Sequence, residues 1–483
     1  YWCPSMRSKT VLNIIGKLLM MIGISMIFPL IWAFYYREKE LIVFIISIIA
    51  TFLSGFALSE IKSQGEGLRP IESLGVVSLG WAAFSAFGAL PFFLSGTLRY
   101  LDAYFETMSG FTTTGATVIQ NIDILPKSII FWRAMTQWMG GMGIIVLAVA
   151  ILPALSIGGM QLFNAESPGP KIDKLKPQVR DTAKILYGVY LIFTAAEIIL
   201  LIIGGMGFFD ASCYTFSTLA TGGFSTKNLS VAYYNNPFIE GVITLFMYLS
   251  GANFMLHYAA LRGKLDYFKN KEFLFYSTII ASSIIIMAVD LRYSVYNNII
   301  DAIRYSSFQV VSIITTTGFV SSNYDVYPAF SRMILLILMF IGGCACSTGG
   351  GIKNIRILVL LKYFYREIYQ FIHPNAILAI KVGEETISDD VIKGIMGFFV
   401  GYISIFVIAT VLVTSYGIDL ITSISSVATT LGNVGPGMGL VGPMYTFSFL
   451  PNFVKIVLTF CMWIGRLEIF SVIVLFMPDF WKE

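Results

Sequence analysis

The sequence has few charged residues for its length. Of its 483 residues, 12% are charged and 56% are hydrophobic, and the mean hydropathy is +0.77. Soluble globular proteins carry about twice that share of charge, because polar side chains must cover their water-facing surface. A soluble domain is therefore excluded, and we interpret the chain as a membrane protein.

Histidine and cysteine are also scarce. With only His257 and His373, a histidine-based zinc or iron site has almost no ligands to draw on. The five cysteines are too scattered for a disulfide scaffold, and a net charge of +4 gives no basic face for nucleic acid. The sequence begins with Tyr1 rather than Met, so we expect the extreme N-terminus to be missing.

What the chain does contain is a series of long apolar runs. A spanning helix needs about 20 apolar residues, and residues 11–36 and 41–60 predict an N-terminal helix pair. A pattern then repeats four times, with a span, an Asp-led segment, a Thr/Gly-rich stretch and a second span in each unit. The predicted pairs of spans are 75–96 and 129–153, 183–206 and 237–261, 272–291 and 329–361, and 391–416 and 452–477. We therefore predict an all-α polytopic membrane protein with ten spanning helices.

The four Thr/Gly-rich stretches recur at spacings of 107, 96 and 114 residues, which indicates internal duplication. The Asp-led segments are too short to cross a bilayer, so we expect them to re-enter from one face. Non-helical backbone is tolerated at membrane depth only inside protein or along a water-filled cavity. The four stretches should thus converge on one aqueous axis, in a pseudo-fourfold arrangement.

The charges of the loops predict which side of the membrane each loop faces. The loops 62–70, 154–182, 262–272 and 352–393 hold 16 Lys and Arg, whereas the loops on the other side hold 7. By the positive-inside rule, the Thr/Gly-rich stretches face outward and both termini are cytoplasmic.

Each Asp-led segment is predicted to be a short helix capped by its aspartate. These residues are Asp102, Asp210, Asp301 and Asp419, with Ser306 as an alternative cap in the third unit. The partially negative C-terminal ends of the helices would then point at the axis and favour a cation there.

The stretches themselves are predicted to bind the cation. Aligned on glycine, they are Thr113-Thr114-Gly115, Ala220-Thr221-Gly222, Thr316-Thr317-Gly318 and Thr430-Leu431-Gly432. A dehydrated monovalent cation needs a ring of neutral oxygens, which backbone carbonyls supply where glycine lets them turn inward. No ring of Asp or Glu lies at this level, which argues against a divalent cation. The alternative is that Thr and Gly only allow close helix packing.

Five motifs cover nearly the whole chain: TTTGATV (112–118), GGMGIIVLAVAILP (140–153), GGFST (222–226), HPNA (373–376) and GRLEIF (465–470). Together with the four units, they make the chain resemble the TrkH-type subunits of the Trk/Ktr/HKT superfamily of potassium transporters. That superfamily has four units of helix, pore loop and helix in one chain, each with a filter glycine, and TrkH-type subunits add an N-terminal helix pair. Cys346 departs from the pattern, because another small residue such as glycine is expected there.

The second helix of the third unit is predicted to be broken, since glycines at 342–343 and 349–351 are incompatible with a straight helix. The resemblance implies that this segment lies below the filter and gates the pore. Its candidate gate residues are Gly342, Gly343, Ser347, Thr348, Gly349 and Gly350. Packing notches for neighbouring helices are the alternative for the glycines, and a metal or redox pair is a weak alternative for Cys344 and Cys346.

Arg466 is the remaining candidate gate residue. Aligning the second helices places it at the position of Gly141, Gly251 and Gly343. A charge in the middle of a span costs about 2.5–3.5 kcal/mol on insertion scales, so it should face water or a carboxylate. Glu468 lies two residues away and would not face it on a helix, so we expect Arg466 to line the pore.

The resemblance implies potassium uptake across the bacterial inner membrane, with K+ as the transported ion and no organic cofactor. It also implies a homodimer that works with a cytoplasmic nucleotide-binding regulatory ring. The expected division is a helix pair (1–70) and four pore units (71–170, 171–265, 266–375 and 376–483). Two alternatives stay open. One is a less selective Na+/K+ pathway, and the other is a polytopic membrane enzyme, which would need a cluster of His, Asp or Glu within the spans.

Overall fold

The computed structural model describes residues 6–62, 69–150, 175–383 and 385–481. The predicted cytoplasmic loops 62–70 and 154–182 lie largely outside the described residues. Within these residues, six helices are long and apolar enough to cross a membrane, and eight if each of two bent pairs counts as one span.

The N-terminal helix pair is present as predicted. It consists of α1 (Ser8–Ser25), its continuation α2 (Ile27–Tyr35) and the antiparallel α3 (Glu40–Ser59). The two arms cross closely at Gly16 and Gly55, because a Cβ atom on Gly55 would lie 2.7 Å from Gly16 O. The Asn13 amide then donates to Ile61 O at 2.9 Å and fixes the end of α3.

The four predicted units follow in order, each with a first long helix and a short helix. The first helices are α4 (Pro70–Gly88) with its extension α5 (Leu90–Leu94), α8 (Leu175–Ile203), α12 (Lys271–Ser294) and α16 (Asp389–Thr414). The short helices are α6 (Tyr100–Phe111), α9 (Phe208–Leu219), α13 (Ile299–Ile314) and α17 (Leu420–Leu431). These helices have 12 residues, or 16 in the third unit, and at about 18–24 Å they are too short to cross a bilayer, which agrees with the predicted re-entry.

The second helices complete the units. They are α7 (Lys127–Ala150), α10 (Pro237–Ser250) with α11 (Phe254–Leu261), α14 (Ala329–Leu338) with α15 (Asn354–Ile372), and α18 (Asn452–Leu467) with α19 (Ile469–Ile473). A hairpin of β1 (Lys381–Val382) and β2 (Glu385–Thr386) joins the third unit to the fourth, and α20 (Pro478–Trp481) ends the described chain.

Three of the second helices are not straight. The spans predicted at 237–261 and 452–477 are each bent, because α10 and α11 meet at 103° and α18 meets the helix that follows Glu468 at 119°. The break at 342–351 is confirmed, since α14 and α15 are separated by an irregular segment. We call residues 339–353 the crossing segment.

Only one of the four predicted aspartate caps is correct. Asp419 accepts a hydrogen bond from Thr422 N at 3.0 Å, and this contact with Thr422 lowers the pKa of the Asp419 carboxyl. The other three aspartates lie inside the first turn of their helices, where they still complement the helix dipole. In the third unit Asn298 is the cap, and Ser306 is buried in the middle of α13.

The units are arranged around a common centre. The second helix of one unit packs against the short helix of the next, as α7 does on α9 and α10 does on α13. The second helix of the fourth unit, α18, packs against α6 of the first. The chain therefore closes on itself, and the ends of the short helices meet at its middle.

Candidate functional site

The four short helices end in the same kind of turn. The second residue beyond each helix has a positive φ, and these residues are Thr113 (51°), Thr221 (52°), Thr316 (61°) and Asn433 (56°). In the first turn, Thr113 N donates to Gly110 O at 2.9 Å and Thr114 N to Ser109 O at 2.8 Å, and the other turns repeat this pair of bonds. Glycine is usual at that position, and a β-branched residue there stores about 1–3 kcal/mol of strain. Three strained threonines therefore lie at one level.

A glycine with positive φ follows two residues later in every turn. These glycines are Gly115 (84°), Gly223 (74°), Gly318 (78°) and Gly435 (107°). We call residues 112–115, 220–223, 315–318 and 432–435 the first to fourth turn segments.

This register corrects the predicted alignment in two units. Gly222 corresponds to Thr114 rather than to Gly115, and Gly432 is the C-cap of α17. Thr430 and Leu431 lie in the last turn of α17 and are not in the turn segment. The error arose because the second and fourth stretches contain more than one glycine, and residue identity alone cannot choose among them.

The four turn segments contact one another in a closed ring. A Cβ atom on Gly115 would overlap Gly222 O, one on Gly223 would overlap Thr317 O, and one on Gly318 would overlap Val434 O. The ring closes because a Cβ atom on Gly435 would lie 2.8 Å from Thr114 O. The four glycines therefore let each segment come into direct contact with a carbonyl of its neighbour.

The groups available on this ring are neutral oxygens. Pairs of threonine hydroxyls lie 2.8 Å apart in the first and third segments, and Asn433 Nδ2 donates to Thr114 Oγ1 at 3.0 Å. In the described part of the chain, no group of three or more His, Cys, Asp and Glu residues could hold a metal ion. Neutral carbonyls and hydroxyls suit a monovalent cation, and the C-terminal ends of four helices add negative potential.

The crossing segment contacts three turn segments close to the ends of their short helices. Thr348 O accepts hydrogen bonds from Thr221 Oγ1 at 2.8 Å and from Arg466 Nη1 at 2.7 Å. Gly350 N donates to Thr316 Oγ1 at 2.6 Å, and a Cβ atom on Gly350 would lie 2.7 Å from Gly432 O. Two predicted gate residues, Thr348 and Gly350, therefore contact the turn segments, and a third, Arg466, is bonded to Thr348.

Arg466 is buried, with 3% of its surface exposed. Its Nε and Nη2 atoms have no hydrogen-bond partner within the described residues. Glu468 instead binds Arg356, with 2.7 Å between Nη2 and Oε1. Arg466 is therefore bonded to the backbone of the crossing segment and not to Glu468, and its place on the ion path stays a prediction.

Glu272, which sequence reasoning missed, ties the middle of the crossing segment to the first turn of α15. Its Oε1 accepts hydrogen bonds from Ala345 N at 2.8 Å and from Ile355 N at 3.1 Å. Cys344 N also donates to Gly251 O at 2.8 Å, in the break between α10 and α11. Cys346 has a φ of 54°, a conformation that glycine adopts easily, which explains why a glycine was expected there.

Two polar residues on α7 were also missed. Arg133 is buried and binds Glu106 at 2.8 Å, and Gln137 is buried next to the second turn segment. The signal that could have found them is a cation and an amide inside an otherwise apolar helix.

Known proteins with similar sequences cover the whole chain. The sequence matches the family described as TrkH, cation transport protein, over residues 36–277 and 272–483. It is 39% identical to the Trk system potassium uptake protein TrkH of Salmonella typhimurium and 40% identical to that of Escherichia coli K12, over 99% of this chain and 100% of each relative. These relatives are transporters, not enzymes.

A solved structure is similar as well. The potassium transporter TrkH from Vibrio parahaemolyticus superposes with a TM-score of 0.91 and 37% identity, covering 99% of this chain and 100% of that one. The resemblance read from the motifs is confirmed, as are the helical fold and the multi-pass membrane character. The chain belongs to the TrkH family of cation transport proteins.

Proposed function

We propose that the chain takes up K+ across the bacterial plasma membrane along the axis of the four turn segments. The observation that supports this most directly is the closed ring of contacts between the glycines and the carbonyls of Thr114, Gly222, Thr317 and Val434. The names of the relatives, potassium uptake proteins, point to the same ion.

In this proposal, the filter consists of the turn segments in their structural register. Carbonyl oxygens on four sides replace the water shell of K+, and the glycines at 115, 223, 318 and 435 allow the close approach. Ala220 and Gly432 are C-caps at the base of the filter. Thr430 and Leu431 support it from within α17.

The barrier beneath the filter is formed by Arg466 and the crossing segment. A fixed positive charge about 4 Å from a passing cation opposes it by about 4 kcal/mol at an effective dielectric near 20. The bond between Arg466 and Thr348 links the charge to a glycine-rich backbone that can change its path. Movement of the crossing segment would therefore move the barrier.

Flux into liposomes tests the proposed ion. The purified chain is reconstituted, and the uptake of K+, Rb+ and Na+ is measured with and without an imposed membrane potential. Uptake of K+ and Rb+ in excess of Na+, driven by the potential, is expected. Equal uptake of Na+ and K+ would instead favour a less selective pathway, and no uptake would refute the proposal.

The regulatory arrangement is part of the same proposal. We infer a homodimer in which each chain uses its four pore units and has both termini in the cytoplasm. Its basic loops bind a separate cytoplasmic protein, the nucleotide-binding regulatory ring. Arg262, Lys264 and Lys269 are exposed in the loop after α11 and could contribute charge to such a contact. The test reverses the charge of these three residues and measures co-purification with the regulatory ring. Lost co-purification would indicate docking, whereas retained co-purification would indicate that the charges only set the membrane topology.

A further inference from the structure

The second turn segment is held by α7 in a way that the other segments are not. Gln137 Nε2 donates to Gly222 O at 2.6 Å, and Gln137 Oε1 accepts from Phe224 N at 3.0 Å. The side chain is fully buried. One amide therefore uses both of its ends to bracket Gly223, the glycine with positive φ in that segment.

The equivalent residues in the second and fourth units follow from the glycine contacts, and that of the third unit follows from the sequence alignment at Gly343. A Cβ atom on Gly140 would overlap Phe111 O, and one on Gly465 would overlap Leu431 O, so these glycines occupy the same position below a short helix. A Cβ atom on Gly141 would lie 3.0 Å from Tyr190 Oη, as one on Gly251 would lie 2.5 Å from Tyr276 Oη.

The second helices are aligned at Gly141, Gly251, Gly343 and Arg466. Four residues before these positions, the first unit has Gln137 and the other three units have methionine. These methionines are Met247, Met339 and Met462, and all are fully buried. The methionine side chain has no N–H group to donate to a carbonyl. A side-chain hydrogen bond from this position to a carbonyl of the ring is therefore a feature of the first unit.

The turn segments differ in a complementary way. The residues aligned with Gly222 are Thr114, Thr317 and Val434, all β-branched, and β-branching stiffens a residue. The Gln137 amide fills the space next to Gly222 that a side chain would need. A Cβ atom on Gly222 would lie 2.6 Å from Oε1 and 2.7 Å from Nε2 of Gln137. Among the corresponding peptides of the four turn segments, the Gly222-Gly223 peptide therefore has the greatest backbone freedom, because both of its residues are glycine. It is also the one that the Gln137 amide holds in place.

Arg133 extends the clamp by one turn of α7. Its Nη1 donates to Ser225 O at 3.1 Å, and its guanidinium lies 3.9 Å from the centre of the Phe224 ring. Glu106 Oε1 holds the same guanidinium at 2.8 Å. Residues 222–225 are thus fixed from one side by two neighbouring polar side chains.

We propose that Gln137 is a positioning residue that sets K+ over Na+ selectivity by fixing the Gly222 carbonyl. The inference rests on the proposed function, because it assumes that this carbonyl belongs to the filter. Na+ is smaller than K+ and needs carbonyl oxygens closer to the axis. With Gln137 in place, Gly222 O is held back by a donated hydrogen bond, and without it the Gly-Gly peptide is free to move toward the smaller ion.

The test replaces Gln137 by the residue of the other three units. Gln137→Met should lower the K+/Na+ permeability ratio in liposomes by about five-fold, the change that corresponds to one net hydrogen bond of about 1 kcal/mol. The ratio does not depend on how many molecules are active, so a loss of folded protein alone leaves it unchanged. Met247→Leu, a volume-conserving change at the equivalent position, is the matched control and should keep the parental ratio.

A second variant completes the comparison. Gln137→Met combined with Gly222→Thr reproduces the methionine and β-branched pair of the other units, and it should recover most of the lost selectivity. Should Gln137→Met not fold, Gln137→Leu also removes the donor to Gly222 O, and it should lower the ratio by a similar amount.

The failure of this inference differs from the failure of the proposed function. A parental chain that does not prefer K+ would overturn the proposed function itself. A selective parent whose ratio is unchanged in Gln137→Met, or in Gln137→Leu where the first variant does not fold, would overturn the inference alone. A ratio that falls equally in Met247→Leu would also overturn it, because the effect would then be one of packing.

Discussion

Arg466 and Thr348 are joined by a hydrogen bond of 2.7 Å from the guanidinium Nη1 to the backbone carbonyl. Thr348 O also accepts from the Thr221 hydroxyl at 2.8 Å. One carbonyl of the crossing segment therefore connects the charged residue of the fourth unit to the turn segment of the second. A displacement of the crossing segment must break at least one of these contacts, so Arg466 and the second turn segment are mechanically linked.

Removal of the Arg466 charge should raise K+ flux. Arg466→Ala deletes a repulsion of about 4 kcal/mol at 4 Å and an effective dielectric of 20, and one third of this already corresponds to about a ten-fold change in rate. The expected result is a flux at least ten-fold higher without any partner, with an unchanged K+/Na+ ratio. Arg466→Lys retains the charge and should keep the flux near the parental value. Equal fluxes in the two variants would mean that the charge is not the barrier.

Loss of the Glu272 carboxylate should release the crossing segment. Its Oε1 accepts from Ala345 N and Ile355 N, and Glu272→Ala leaves both buried donors unpaired at about 1–3 kcal/mol each. A lower thermal midpoint in detergent and a higher K+ flux without partner are expected together. Glu272→Gln keeps one oxygen acceptor and should produce a smaller shift. An unchanged midpoint in Glu272→Ala would show that the carboxylate does not anchor the segment.

The spans and the four units could be predicted because burial in a bilayer requires long apolar runs, which the sequence displays openly. The break at 342–351 could be predicted as well, since adjacent glycines disfavour a helix. The bend at Glu468 could not, because it depends on a single non-glycine residue with a φ of 66°. Such a conformation is imposed by tertiary contacts and leaves no mark in composition.

The register of the ring shows the same limit at the site. Gly222 and Gly223 are adjacent and identical in type, and only the backbone conformation distinguishes them. Gln137 was visible as an amide within an apolar helix, but its partner lies 85 residues away and belongs to the next unit. Sequence spacing within one unit therefore predicts which stretches form the ring, whereas contacts between units decide which atoms do so.

The ion pair between Arg133 and Glu106 should contribute strongly to stability. Both side chains are buried, and Arg133→Met leaves an unpaired carboxylate, which typically costs about 3–5 kcal/mol. A marked fall of the thermal midpoint is expected, and Glu106→Gln in the same chain should restore part of it. The residue of the fourth unit that aligns with Arg133 is Leu458. Leu458→Met should lower the free energy of unfolding by less than about 1.5 kcal/mol, because no buried charge loses its partner. If Arg133→Met were as stable as the parent, the buried ion pair would not contribute to stability.

Crowding at a ring glycine should impair selectivity more than backbone strain does. Gly318 and Gly417 both have a φ of 78°, so a serine at either position is strained by a similar amount, about 1–2 kcal/mol. A Cβ atom on Gly318 would overlap Val434 O, whereas one on Gly417 meets nothing within 4 Å. Gly318→Ser should therefore displace a ring carbonyl, and Gly417→Ser should not.

The two variants separate these effects in one experiment. Both should lower the thermal midpoint slightly, and only Gly318→Ser should lower the K+/Na+ permeability ratio in liposomes. The decisive quantity is the ratio rather than the flux, because the ratio reports ring geometry and the flux also follows the amount of folded protein. If both variants reduced the ratio equally, strain would be its cause, and the contact between Gly318 and Val434 would not define the ion path.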